Sequence, residues 1–250
     1  MTGADGFRVF DHDPRVAAWA QAELVEARKV AADPVMHSAD NLRHGQTWFV
    51  GVDALHNAAG GSIGGVPLAG PWQDRVSALP LHAAQLSIIY AGYPKQDRGE
   101  SDANHRYRLN RCAAHVDGLL PIGRARRRFA QEFHSYILSL PLNDAVHAPT
   151  VVWRGSQRIM QAALRRAIGT ADPAQVDITD AYQAARKQVF GTCEQVSLEL
   201  RVGQTALLHP FVLYGTQAWG DAIDPVGEGR MIALFHPECA GGASEWLATP

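Results

Sequence analysis

His115 and Asp117 are the residues of this chain whose types and spacing could do chemistry. They lie in Arg111-Cys112-Ala113-Ala114-His115-Val116-Asp117-Gly118-Leu119, a polar pair inside an apolar, strand-like run. Side chains two residues apart on a strand project to the same face. An imidazole and a carboxylate would therefore stand side by side in whatever that face encloses. Together they make two-thirds of the 2-His-1-carboxylate arrangement, which holds a non-haem Fe(II) by one face and leaves the other positions open for substrate and O2.

The elements that must position such a pair can be read from periodicity. Residues 14–32 form a helix, with Asp13 as cap, Pro14 in the first turn, and Val16, Trp19, Ala20, Leu24, Ala27 and Val30 at helical spacing. Residues 48–52 read as a short strand. The glycine-rich stretch 57–65 follows; with no Lys-Ser/Thr after it, it reads as a long turn near a pocket mouth rather than a phosphate cradle. Strands are expected at 85–90, 106–117, 136–142, 150–153, 196–202, 205–214 and 230–235. Helices are expected from Ser156 to Ile168 and from Asp177 or Thr179 to about Gly191. Arg124, Arg126, Arg127 and Arg128 read as a solvated turn. Many short strands with few helices favour an antiparallel barrel or jelly roll over a βαβ layout. No repeat or linker divides the chain, so one domain over 1–250 is expected, with the helix at about 14–32 and a core at about 47–238.

Composition narrows the function classes. With 46% apolar and 19% charged residues among 250, the chain suits a soluble globular protein with a sizeable core. A formal charge of −2 argues against a large nucleic-acid footprint. Cys112, Cys193 and Cys239 are widely spaced and form no Cys-x-x-Cys pair, so free cytosolic thiols are expected, with no disulfide framework or zinc knuckle. The first residues show no basic region followed by an apolar stretch, and no run approaches the ~18 apolar residues of a membrane span. A cytoplasmic protein with no membrane partner is the expectation.

With these motifs placed, the chain resembles the phytanoyl-CoA dioxygenase-like branch of the Fe(II)/2-oxoglutarate-dependent oxygenases, from about residue 47 to 238. The resemblance rests on Gln85-Leu86-Ser87-Ile88-Ile89-Tyr90, Ala113-Ala114-His115-Val116-Asp117-Gly118-Leu119, Val151-Val152-Trp153-Arg154-Gly155-Ser156, Leu208-His209-Pro210 and Gly229-Arg230-Met231-Ile232-Ala233. It implies a mainly β fold with flanking helices, the double-stranded β-helix (a cupin-like jelly roll), with a metal at its mouth. It implies Fe(II) and 2-oxoglutarate as cofactors, and O2 and a small-molecule metabolite as partners. The metabolite would be hydroxylated, desaturated or cyclised with release of succinate and CO2. By the same resemblance His115 and Asp117 are the first two iron ligands. Arg230 pairs with the distal carboxylate of 2-oxoglutarate, as a permanently charged, two-pronged donor can. Gln85 is a further cofactor contact, and Tyr90, Arg108, Trp153 and Trp219 are candidates for the substrate pocket.

The third ligand is open. The family block His-Pro/Arg-x-x-x-His-Gly reads His209-Pro210-Phe211-Val212-Leu213-Tyr214-Gly215 in this chain, with Tyr214 where the ligand histidine is expected. Positions 209 and 214 are five apart and face opposite sides of an unbroken strand; only a bulge at Pro210 would turn both inward. Tyr214 could ligate as a phenolate if the metal lowers its pKa from ~10. His209 could ligate through a local shift. Or two ligands remain, in a non-catalytic or altered-metal jelly-roll protein. His105 and His134 read as ordinary, and His236-Pro237-Glu238, placed after the last strand, is set aside.

Overall fold

Alternation along the strands divides this chain's apolar residues between the outside of a large sheet and a cavity beneath it. The structure is a computed structural model and describes residues 1–38 and 40–250. In chain order the elements are β1 (Phe7–Phe10), α1 (Pro14–Ala32), β2 (Leu42–Arg43), β3 (Trp48–Leu55), β4 (Ala84–Ile89), α2 (Asp102–Arg111), β5 (Leu119–Ile122) and β6 (Arg127–Ala130). They continue with β7 (Ile137–Pro141), β8 (Thr150–Trp153), α3 (Ser156–Ile168), α4 (Thr179–Thr192), β9 (Gln195–Leu198), β10 (Thr205–Leu208), β11 (Tyr214–Thr216), β12 (Arg230–Phe235) and α5 (Gly242–Ala248). The large sheet runs β1-β10-β7-β12-β4-β3-β2, the small sheet β11-β8-β9, and β5-β6 is a separate hairpin. These pairings are antiparallel, and helices flank the sheets: the mainly β jelly-roll class expected from the strand pattern. Among the described residues no helix is long and apolar enough to cross a membrane.

On β12, Met231, Ala233 and Phe235 join Leu86, Ile88, Leu138 and Leu140 in the core under α1, whose Trp19 packs tilted against Phe235 at 5.8 Å. Ile232 and Leu234 point the other way, to join Ile137, Val152, Leu208 and Tyr214 between the sheets. A third cluster, with Val151, Trp153, Phe211, Leu213 and Trp246, packs the small sheet under α3 and α4. No residue of the glycine-rich stretch 57–65 lines the cavity, although Asn57 Nδ2 donates to the carbonyl of the lining residue His82 at 3.0 Å. The stretch's Gly61 carbonyl accepts from Trp19 Nε1 at 2.7 Å, which ties the stretch to α1. The arginine cluster is a hairpin turn anchored by Arg127 to Asp177 and Asp180, and by Arg128 to the Leu119 carbonyl.

The stretch 106–117 departs from the expected strand. Ser101 caps α2 through its hydroxyl, which accepts from Asn104 N, Asp102 lies in the first turn, and Arg108 and Arg111 lie in the last. That cap and charge order favours a helix. Cys112 and Ala113 then adopt left-handed φ of 52° and 51° and reverse the chain. The following residues add to the edge of the small sheet. His115 exchanges both backbone hydrogen bonds with Tyr214 (2.8 and 3.1 Å), and Thr216 N donates to Cys112 O at 2.9 Å. Gly215 makes this approach possible, because a Cβ there would lie 2.1 Å from Cys112 O. The Gly215→Ala variant is therefore expected to lose roughly 1–3 kcal/mol or more of stability through forced displacement. A urea unfolding midpoint equal to wild type would show that this contact does not constrain the site.

Candidate functional site

The two sheets enclose a cavity of about 560 Å³. His115 and Asp117 both line it, as their spacing predicts, and His115 Nε2 lies 3.1 Å from Asp117 Oδ1. Because His115 and Tyr214 are directly opposed across the strands, the Tyr214 ring falls on the same face, 4.8 Å from the His115 ring. Its hydroxyl donates to Asp117 Oδ2. His236, at the end of β12, reaches the same oxygen with Nε2 at 3.2 Å. Thus two imidazoles and a phenol converge on one carboxylate.

Burial opposes the charge on Asp117, but the hydrogen bonds from His115 and His236 outweigh it and hold the carboxyl well below its ordinary range. His115 is the counterpart. Burial pushes its pKa down, the Asp117 contact pushes harder the other way, and the net shift is upward. Burial first, and then the adjacent carboxylate, drive the Tyr214 hydroxyl well above its usual value, so it stays a protonated donor. Two more pairs border the cavity: His134 with Glu132 at 3.1 Å and His82 with Asp53 at 3.0 Å.

The other expected residues divide by strand parity. Gln85 and Ser87 line the cavity, whereas Tyr90, of opposite parity, packs on the α1 side. Val152 faces Tyr214 in the core between the sheets, so Trp153 turns outward to Phe190 and α3, away from any substrate. Arg108 lies on α2 rather than on a strand, bonded to Glu100 at 2.8 Å beside His44 and Asp97, and does not line the cavity. Trp219 packs with Ile89, Tyr93 and Ala148 and donates to the Ala222 carbonyl, behind the wall. Tyr93, Trp48 and Arg43 line the cavity instead.

Arg230 is buried at the start of β12, with Nε and Nη2 lacking partners among the described residues. It lines a small pocket that shares Ser139, Thr150 and Ile232 with the main cavity, and the buried Ser139 hydroxyl is also unpartnered. Burial lowers the Arg230 pKa to about 10, which still leaves it charged at neutral pH.

His209 does not reach the site. β10 ends at Leu208, which faces the cavity, and the next residue turns away with no bulge to bring it back. The ring is 2% exposed; its Nδ1 accepts from Phe211 N at 3.2 Å, and it bonds the backbone of Thr249 and Pro250. His236, set aside from the sequence, takes a place at Asp117 because chain pairing continues past β12, through the His134–Glu238 bridge. The usable signal was its even spacing from Arg230, which puts both residues on one face.

No protein-family model matches the chain, and no curated protein matches it. Distant similarity to solved structures is found. A non-heme alpha ketoglutarate dependent carbocyclase, SnoK from nogalamycin biosynthesis, is 12% identical over 94% of this chain and 80% of its own, with a TM-score of 0.49. EctD from S. alaskensis, solved with 2-oxoglutarate and 5-hydroxyectoine, is 14% identical over 96% and 74%, at 0.45. HygX from Streptomyces hygroscopicus, solved with nickel, 2-oxoglutarate and hygromycin B, is 12% identical over 94% and 84%, at 0.41. Likenesses this distant carry no residue assignments.

Burial holds the His209 pKa down at about 4, whereas an unfolded histidine titrates near ~6.5. A neutral folded imidazole stabilises the fold above ~6.5, and that contribution is lost as pH falls toward about 4. Relative to His209→Gln, the wild type is therefore expected to lose stability across this window. Parallel unfolding curves at pH 7.5 and 4 check it; an unchanged difference between the two proteins would contradict the buried neutral ring.

Proposed function

We propose that this chain is an Fe(II)/2-oxoglutarate-dependent oxygenase of a small-molecule metabolite. The observation that carries the reading is the buried Arg230 guanidinium, with two nitrogens unpartnered among the described residues, in a small pocket whose Ser139, Thr150 and Ile232 also line the cavity that holds the His115–Asp117 pair. A buried cation without a partner is costly unless an anion completes it. Arg230, with the unpartnered Ser139 hydroxyl and Thr150 beside it, fits the far carboxylate of a keto diacid. At the metal end, Asp117 is held anionic and His115 offers Nε2, a donor set suited to a divalent iron; the Tyr214 hydroxyl and the His236 imidazole compete for the next place beside it.

Bound there, Fe(II) with 2-oxoglutarate and O2 supplies an oxidising equivalent as the keto acid is converted to succinate and CO2. The chain's own residues position and shield. Arg230 orients the keto acid through one end, and Leu208, Ile232 and Leu234 keep the inner wall dry. Gln85 and Ser87 offer hydrogen bonds from β4, and Trp48 and Tyr93, edge to face at 6.3 Å, add aromatic surface to the lining. The cavity volume suits a metabolite rather than a polymer. A cytoplasmic setting agrees with the three free cysteines.

One observation favours a second reading, a binding protein with altered or absent metal chemistry: the Tyr214 hydroxyl rests on the carboxylate that would ligate. Anaerobic titration separates the two. Fe(II) with 2-oxoglutarate is expected to produce a weak visible charge-transfer band in the wild type. Arg230→Met is expected to weaken 2-oxoglutarate binding by about 30-fold or more, the usual scale for removing one partner of a buried charged contact. No band, and no succinate with a broad metabolite panel, would favour the binding protein.

A further inference from the structure

We propose that the third protein ligand of the metal is His236, so that the large sheet, and not β11, completes the 2-His-1-carboxylate set. The inference rests on the reading above and adds a residue to it. Along β12 the positions 230, 232, 234 and 236 form one inward row, with Arg230 at one end, the apolar Ile232 and Leu234 between, and His236 at the other. The row thus carries an anion-binding group and a nitrogen donor at its two ends, and the nitrogen end is the one that meets Asp117.

His236 is held in place before any ion arrives. Its backbone N–H donates to His82 Nε2 at 3.0 Å, which leaves the His82 proton on Nδ1, facing Asp53 at 3.0 Å. The next residue is fixed by Ser135 N donating to Pro237 O at 2.7 Å, and the one after by the His134–Glu238 bridge. The ring packs against His134 at 5.2 Å and lies parallel to His82 at 6.1 Å. Partners that orient a ligand in this way are the usual support of a metal-binding histidine.

Tyr214 is the rival, since its position in the small sheet pairs with His115. Its oxygen carries a proton and spends it on Asp117, whereas a neutral imidazole offers a lone pair without losing anything. Two nitrogens and one carboxylate match ferrous iron better than one nitrogen, one carboxylate and a phenol. His115 and His236 stand on different oxygens of Asp117, so a shared ion draws the two rings toward one of them. The Tyr214 hydroxyl then remains on the other oxygen as a positioning group. Phenylalanine can replace it without emptying the metal site.

Metal binding itself is the test, with Co(II) as an air-stable probe followed by calorimetry and by its visible d–d bands, and with Cu(II) paramagnetic resonance to count nitrogens. His44, Asp97 and Glu100 also bring ligand atoms within 4.8 Å of one another, so His115→Ala serves as the baseline for ions held outside the cavity. The expected result is one Co(II) lost in His115→Ala, and affinity at Tyr214→Phe within about threefold of wild type. Affinity at His236→Ala and His236→Asn should fall by about 100-fold or more, the top of the range for losing a mere supporting partner. Wild type should show two nitrogens on Cu(II), and the His236 variants one. Normal affinity in the His236 variants with loss in Tyr214→Phe would overturn the inference and leave the oxygenase reading standing. No His115-dependent ion in the wild type would overturn both. A single nitrogen on Cu(II) in the unmutated protein would overturn the inference even if the variants fold poorly.

Discussion

Asp117 carries three polar side chains on its two oxygens: His115 on one, Tyr214 and His236 on the other. Taking a carboxylate out of water costs several kcal/mol unless donors replace the lost solvation. These donors come from three separate stretches of chain, so the charge can be kept only if the two sheets face each other in one register. The His115–Tyr214 pairing fixes the small-sheet side, and the β12 pairings to β4 and β7 fix the other. The carboxylate therefore acts as a check on the assembly: a slip of one residue on either sheet would bury it with a donor missing.

The same register accounts for what was legible in the sequence. Elements with local signals were readable to the residue: α1, with its Asp13 cap and Pro14, and β12, with its apolar run. The strand expected at 106–117 was not, because the apolar tally outweighed a cap at Ser101 and a helix whose residues are never fully buried. Spacing put His115 and Asp117 on one face without knowledge of the partner strand. Which face of β4 or β8 looks into the cavity is a different kind of fact, set by distant pairing. Gln85 therefore lines the cavity, whereas Tyr90 and Trp153, one parity step away from inward residues, do not. His236 was lost for a related reason: its strand stops at Phe235, and contact with residues 134 and 135 carries the chain pairing onward.

Arg230 shows how two kinds of evidence complement each other. In the sequence it is an arginine before an apolar strand, a type that most often sits at a surface. In the structure it is buried with vacant donors next to a vacant serine hydroxyl, an arrangement that a stability argument alone cannot justify. On the proposed reading, a planar cation beside a hydroxyl would be completed by an anion.

The two ends of β12 then divide one task. A guanidinium needs no proton adjustment and no fine geometry to hold a carboxylate, so it can sit deep and fixed. An imidazole that is to hold a metal must be neutral, oriented and able to shift slightly, which suits the cavity end, where His82 and Ser135 steady the backbone but leave Nε2 free to face Asp117. Ile232 and Leu234 stand between the two as apolar lining. On the proposed reading, a single strand with alternate residues turned inward would supply an anchor, an apolar spacer and a donor in sequence. That arrangement explains why the nitrogen missing from β11 need not be missing from the site.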